Sequence, residues 1–164
     1  MSHARSKSLS IAAFLLALAA FPASASMVSF MLVETGVNLE EAPGNQHSRL
    51  WESGLMSVFF DSDFIVTSSP IAQMKTIPST ELAGDIGEMF TEAVNGGADY
   101  FVVGFIEYST VGASPQQIAV KVYDSSRRLI HRESFPAGTG RNDNEELELA
   151  RNAGRFIISR IKDI

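Results

Sequence analysis

The chain shows three patterns of apolar and polar positions. An apolar run of about thirteen residues, Leu9 to Phe21, follows Arg5 and Lys7 and leads into Ala23-Ser24-Ala25. A basic start, a short apolar stretch and small residues at the end form the layout of a cleaved export signal. As a helix the run falls short of a bilayer core roughly 30 Å thick. The working protein is therefore expected to begin at Ser26 and to act outside the cytoplasm.

A second pattern, β-branched and aromatic, marks strands. Met27 to Glu34 (MVSFMLVE) reads as a buried strand, and Phe64 to Ser68 as a short one ended by Pro70. Asp99 to Ser109 (DYFVVGFIEYS) is the strongest strand signal. Gly104 in its middle predicts a bulge or a close helix approach. Gln116 to Tyr123 alternates, with Ile118, Val120 and Val122 on one face; Asp124 to Arg127 is a turn, and Leu129 to Phe135 returns. Thr35 to Asn45, residues 70–79, Thr110 to Pro115 and Pro136 to Arg141 read as connections.

The third pattern has helical spacing. Gln46 to Phe60 places Leu50 or Trp51, Leu55, Val58 and Phe59 on one face, with Asn45 or Ser48 as cap. Thr80 to Asn95 carries Leu82, Ile86, Met89, Phe90, Ala93 and Val94 as a stripe. Ser79 caps it, Glu81 and Asp85 sit near its positive end, and Gly96-Gly97 stops it. Asn144 to Lys162 lines up Leu147, Ala150, Ala153 or Gly154, Ile157 or Ile158, and Ile161. Arg151, Arg155 and Arg160 lie outside that face, and Asp143 with Glu146 forms a capping box at its start. The order β-α-β-α-β-β-β-α predicts an α/β (α+β) fold: a mixed sheet of four to five strands with helices packed on it.

Removing residues 1–25 leaves 164 − 25 = 139 residues, the size of one domain, 26–164. The signal takes two of 13 basic residues and none of 19 acidic ones, so the mature charge is 11 − 19 = −8. That balance opposes binding to nucleic-acid phosphates or to anionic lipid. The absence of cysteine removes disulfides, thiolate metal sites, thiol nucleophiles and a cysteine-linked lipid anchor. An apolar core must hold the domain, and no second long apolar stretch follows the signal. The expected protein is soluble and periplasmic, not a lipoprotein.

Candidate chemistry is sparse, and no cofactor or metal is expected. His47 and His131 are the histidines left after signal removal, and no G-x-S-x-G elbow supplies a nucleophile. Asp61-Ser62-Asp63 reads as a polar turn between helix and strand rather than a calcium site, because calcium wants six or more oxygens. Asn142 to Glu146 suits a helix start, where acids complement the dipole. Gly138-Thr139-Gly140 is half of a phosphate loop, without the third glycine or a Lys-Ser/Thr pair. Glu34, Glu40, Glu41 and Glu107 are carboxylates without a fixed separation for glycan cleavage. Arg127, Arg128, His131 and Arg132 form the one basic cluster in an acidic chain. That cluster reads either as a solvated hairpin tip or as a patch for an acidic partner.

The stretch Gly97-Ala98-Asp99-Tyr100-Phe101-Val102-Val103-Gly104-Phe105-Ile106-Glu107 resembles a strand motif of bacterial envelope domains. These are the TolB amino-terminal domain, the curli secretion protein CsgG and the penicillin-binding-protein activator LpoB. The following hairpin, Gln117 to Tyr123 and then Asp124 to Ile130, is similar to theirs, as is a closing helix from Glu145 to Ile161. The likeness covers Phe64 to Ile161 and, more loosely, the first strand and helix. The chain lacks the lipobox cysteine of CsgG and LpoB and the propeller that follows the TolB domain, so neither pore formation nor TolB's role carries over. The resemblance implies a non-catalytic envelope module that binds other proteins and has no catalytic residues to transfer. The expected contact surfaces are the hairpin around Asp124 to Arg132 and an exposed sheet edge, and the expected partner is an envelope protein or an anionic envelope polymer. The alternatives are a small hydrolase using His47 or His131, and an anion or small-ligand binder near Gly138.

Overall fold

A computed structural model of the chain describes residues 25–36, 44–75, 82–109, 114–136 and 142–162. The expected export signal up to Ser24, Glu40 and Glu41, the expected Ser79 cap with Thr80 and Glu81, and the Gly138-Thr139-Gly140 segment lie outside the described residues.

The elements run β1 (Met27–Thr35), α1 (Gln46–Phe60), β2 (Ile65–Ser68), β3 (Ala72–Met74), α2 (Asp85–Asn95), β4 (Tyr100–Glu107), β5 (Gln117–Asp124), β6 (Leu129–Pro136) and α3 (Asp143–Lys162). One mixed sheet has the strand order β2-β1-β4-β5-β6. Strand β1 pairs in parallel with β2, β3 and β4, and the β4-β5-β6 meander is antiparallel.

Alternation along each strand sends successive side chains to opposite faces. On the first face Phe30 and Leu32 of β1, Val102 and Ile106 of β4, and Val120 and Val122 of β5 meet Trp51, Leu55 and Phe59 of α1 and Ala150, Ala153 and Ile157 of α3. The Phe30 and Phe59 rings meet edge to face at 5.0 Å. On the opposite face Met31, Val33, Phe101, Val103 and Phe105 lie beneath Ile86 and Phe90 of α2. Two helices therefore cover one face, and among the described residues one eleven-residue helix covers the other.

Four expectations need correction. The sheet has six strands, because Ala72–Met74 pairs with Val33–Thr35. Strand β2 reaches only the first half of the nine-residue β1, and β3 occupies the remaining edge. Helix α2 starts at Asp85, not Thr80: Leu82 (φ 54) and Gly84 (φ 53) are left-handed, which a continuing helix forbids. Strand β4 keeps its register past Gly104 on both sides, so there is no bulge there. A Cβ at Gly104 would stand 2.5 Å from Leu32 Cδ2, so the missing side chain makes room for a neighbour on β1 rather than for a helix. The register shift falls between Val122 and Tyr123 instead. Finally, the capping box of α3 is Asn142 with Glu145. Asn142 Oδ1 accepts from the Glu145 amide at 3.0 Å, and Glu145 Oε2 accepts from the Asn142 amide at 3.1 Å. Glu146 is thereby released for another role.

Candidate functional site

Four of the six polar side chains buried among the described residues, Glu34, Thr35, Ser48 and Glu146, converge where β1 ends and α1 and α3 begin. Glu34 is 1% exposed. Its Oε1 accepts from the Asn45 amide at 2.7 Å, and its Oε2 accepts from Gln73 Nε2 at 3.1 Å and the Gly44 amide at 3.4 Å. A carboxylate at the end of an apolar strand thus fixes the entry to α1 and clamps β3. Asn45 Oδ1 then accepts from the His47 amide at 3.1 Å, which is an N-cap.

From α1, His47 Nδ1 donates to Glu146 Oε2, and Trp51 Nε1 donates to Glu146 Oε1 at 3.2 Å. Gln46 Nε2 donates to Asp143 Oδ2 at 2.7 Å beside them. Residues 47 and 51 share a helix face one turn apart, so both reach the same carboxylate on α3. Ser48 projects elsewhere. Its Oγ and the Tyr108 hydroxyl hydrogen-bond at 2.7 Å, and either can donate. Burial pushes the Tyr108 phenol far above its usual range, the charges of Glu34 and Glu146 add to that, and the Ser48 bond only partly opposes it. Thr35 Oγ1 is buried and has no partner among the described residues.

His47 and Glu146 together form the base and orienting acid that a hydrolytic site requires. The neighbouring hydroxyl does not complete it. Ser48 is 0% exposed and engaged with Tyr108, on a different face of α1 from His47. The other carboxylates are dispersed: Glu107 is exposed at the end of β4, and Asp61-Ser62-Asp63 turns the chain from α1 into β2. Among the described residues no three His, Cys, Asp or Glu side chains group as a metal site.

The basic cluster on the hairpin is taken apart by the fold. Asp124 Oδ1 accepts from the amides of Ser126 (3.0 Å) and Arg128 (2.9 Å), and Oδ2 accepts from Arg128 Nε at 2.9 Å. Slight burial raises the Asp124 carboxyl, but the two amides and the guanidinium outweigh it and hold the group below its ordinary value. Arg127 (φ 66) bends back onto α2, where its guanidinium lies 5.3 Å from the Phe90 ring and donates to Thr91 Oγ1 at 3.2 Å. His131 packs inward with its ring 5.7 Å from Phe156, and its Nε2 has no hydrogen-bond partner among the described residues. Arg132 is exposed on the outermost strand and makes no ion pair among the described residues.

Sequence reasoning did not assemble Glu34, Trp51, Tyr108 and Glu146. One usable signal was Glu34 itself, a charged residue closing a strand of buried apolar positions. The pairing of Glu146 with α1 spans 99 residues of chain and left no local mark.

No protein-family model and no curated sequence matches the chain. Solved structures do. The PelC dodecamer from Paraburkholderia phytofirmans is similar with a TM-score of 0.50 and 11% identity, over 78% of this chain and 84% of that one. Lipoprotein GNA1162 from Neisseria meningitidis gives 0.43 and 8%, over 82% of this chain and 99% of that one. The hypothetical protein CT253 from Chlamydia trachomatis gives 0.39 and 17%, over 84% and 96%. The likeness to PelC is one of fold. Among the described residues no helix is long and apolar enough to cross a membrane.

Proposed function

We propose that this chain is an exported, non-catalytic module of the bacterial envelope that works by contacting protein chains, copies of itself included. One contrast carries the reading. The hydrogen-bonded imidazole–carboxylate couple of His47 and Glu146 turns inward, its adjacent hydroxyl is sealed in the core, and its members serve to join α1 to α3. Meanwhile β6 ends the sheet and presents Arg132 to solvent. An open strand edge is a general means of recruiting another chain. The resemblance of the Gly97 to Glu107 strand to the TolB amino-terminal, CsgG and LpoB domains supports the envelope reading. PelC forms a dodecamer, and self-assembly is the form of contact we assign to this chain first.

Fractionation of expressing cells tests export: the protein should appear in the periplasm, shortened at its amino terminus. Sedimentation equilibrium of that mature form tests assembly, and a mass of several chains is the expected result. A monomer that also fails to crosslink to any envelope protein in situ would refute the proposal. The His47–Glu146 couple favours a second reading, a small hydrolase. If ester or glycoside hydrolysis were found and His47→Ala abolished it without unfolding the chain, that reading would replace the first.

A further inference from the structure

The self-assembly proposed above leaves its surfaces unassigned, and the sheet offers two that match. The first is the outward side of α2. Asp85, Glu88 and Glu92 are exposed there, the helix carries no basic residue, and none of the three has an ion-pair partner among the described residues. Half-buried Leu82, Met89 and Val94 lie around them. The second is the outer edge of β6 with its hairpin. Arg132 is exposed and unpaired among the described residues, Arg128 is exposed with one carboxylate partner, and Leu129 is 37% exposed.

Pairing of β6 with a second β6 is a poor solution. A two-fold axis through such a continuous sheet must keep each side chain on its own face. The near-complete antiparallel registers then set Arg132 opposite Arg132, or Glu133 opposite Glu133. Like charges directly opposed across strands are destabilising, and a charge on an edge strand is a common guard against self-pairing. Two unlike, complementary surfaces instead favour a head-to-tail contact.

We infer that copies of this chain associate head to tail, the acidic outer side of α2 on one copy docking against the Arg132-bearing edge of β6 on the next. The inference rests on the self-assembly reading and adds where the contact lies. Exposed ion pairs are individually weak, so the charges orient the contact while Leu129, Leu82 and Met89 lose water. The assembly should therefore loosen as salt is raised, since screening acts on exposed pairs.

The test uses two charge-reversed forms of the mature protein. Glu88→Lys with Glu92→Lys makes α2 basic, and Arg132→Glu with Arg128→Glu makes the hairpin edge acidic. Each form alone should sediment as a single chain, because the reversed charges on one surface now match those on the other. An equimolar mixture should recover the wild-type mass, because each form supplies what the other lacks. Circular dichroism matching the wild type shows that both forms are folded. Wild-type assembly that survives both reversals, or a mixture that stays monomeric, overturns the assignment of surfaces and leaves the self-assembly reading intact. A monomeric wild type overturns both.

Discussion

Glu145 and Glu146 are adjacent, alike in sequence and opposite in role. Glu145 is exposed and closes the capping box of α3, whereas Glu146 is buried between His47 and Trp51. Glu145→Ala removes one cap partner and should cost about 0.5–1 kcal/mol. Glu146→Ala leaves a buried indole N–H and a part-buried imidazole N–H without their acceptor and should cost about 2–3 kcal/mol. Urea unfolding of the two variants checks this, and equal losses would show that the two roles are not separated as described. Tyr108 gives the chain an alkaline limit. Its folded pKa is raised above the unfolded value of about 10. The folded chain then holds a proton that the unfolded chain has released. Its stabilising share is complete below pH ~10 and is lost as pH climbs past that value, by up to about 1.4 kcal/mol per unit. Tyr108→Phe strands the Ser48 hydroxyl and should be less stable at neutral pH by about 1 kcal/mol. The gap between the two proteins should narrow above pH ~10 as the wild type weakens. A gap that holds steady in alkaline urea titrations would mean the phenol ionises without hindrance.

At the level of elements, α1 and α3 approach closely because small residues line their contact. A Cβ at Gly54 would stand 2.5 Å from Ala150 Cβ and 3.0 Å from the Leu147 carbonyl oxygen. The oxygen belongs to backbone and cannot rotate away. Gly54→Ala should therefore cost about 2 kcal/mol despite alanine's better helix propensity. At Gly154 the nearest atom is Val58 Cβ at 3.3 Å, a tight but not forbidding distance. There the propensity gain of about 0.5–1 kcal/mol offsets the crowding, and Gly154→Ala should be close to neutral. Thermal melts of the pair decide it, and similar shifts would mean the helices can slide apart. The helices and long strands were legible because their apolar periods are strong. Gln46–Phe60 and Asp143–Lys162 follow from stripes such as Leu55, Val58 and Phe59, and Tyr100–Glu107 from its aromatic and β-branched run. Strand β3 was not legible. Ala72, Gln73 and Met74 have no β preference, and only the unfilled edge of β1 recruits them. The start of α2 misled for the converse reason: Leu82 fits the stripe and does pack on the same core, but from a left-handed turn outside the helix.

Across the whole molecule the two faces of the sheet are unequally held, and this decides where it opens first. The first face is closed by helices of 15 and 20 residues joined through Glu146. Among the described residues the opposite face depends on α2, which has 11 residues, two of them buried, and a Gly84 N-cap without a side-chain hydrogen bond. Helices shorter than about 12–15 residues are marginal unless packing sustains them. The packing of α2 comes to buried Ile86 and Phe90, half-buried Met89, Ala93 and Val94, and the Arg127 stack. Helix α2 should therefore open locally while the sheet stays intact. In native-state hydrogen exchange the amides of Phe90 to Val94 should exchange through an opening at least about 2 kcal/mol easier than global unfolding. Those of Phe101 to Ile106, paired on both sides within the sheet, should exchange only with the whole molecule. Arg127→Ala should speed exchange in α2 and leave β4 unchanged. A common denaturant dependence for α2 and β4 would mean that the two faces unfold as one unit. A helix poised this way sits among the less stable parts of a fold, from which docking elements are commonly drawn. If α2 docks on the next copy, its amides should become protected in the assembled protein and lose that protection in the Arg132→Glu form, while exchange in β4 stays the same.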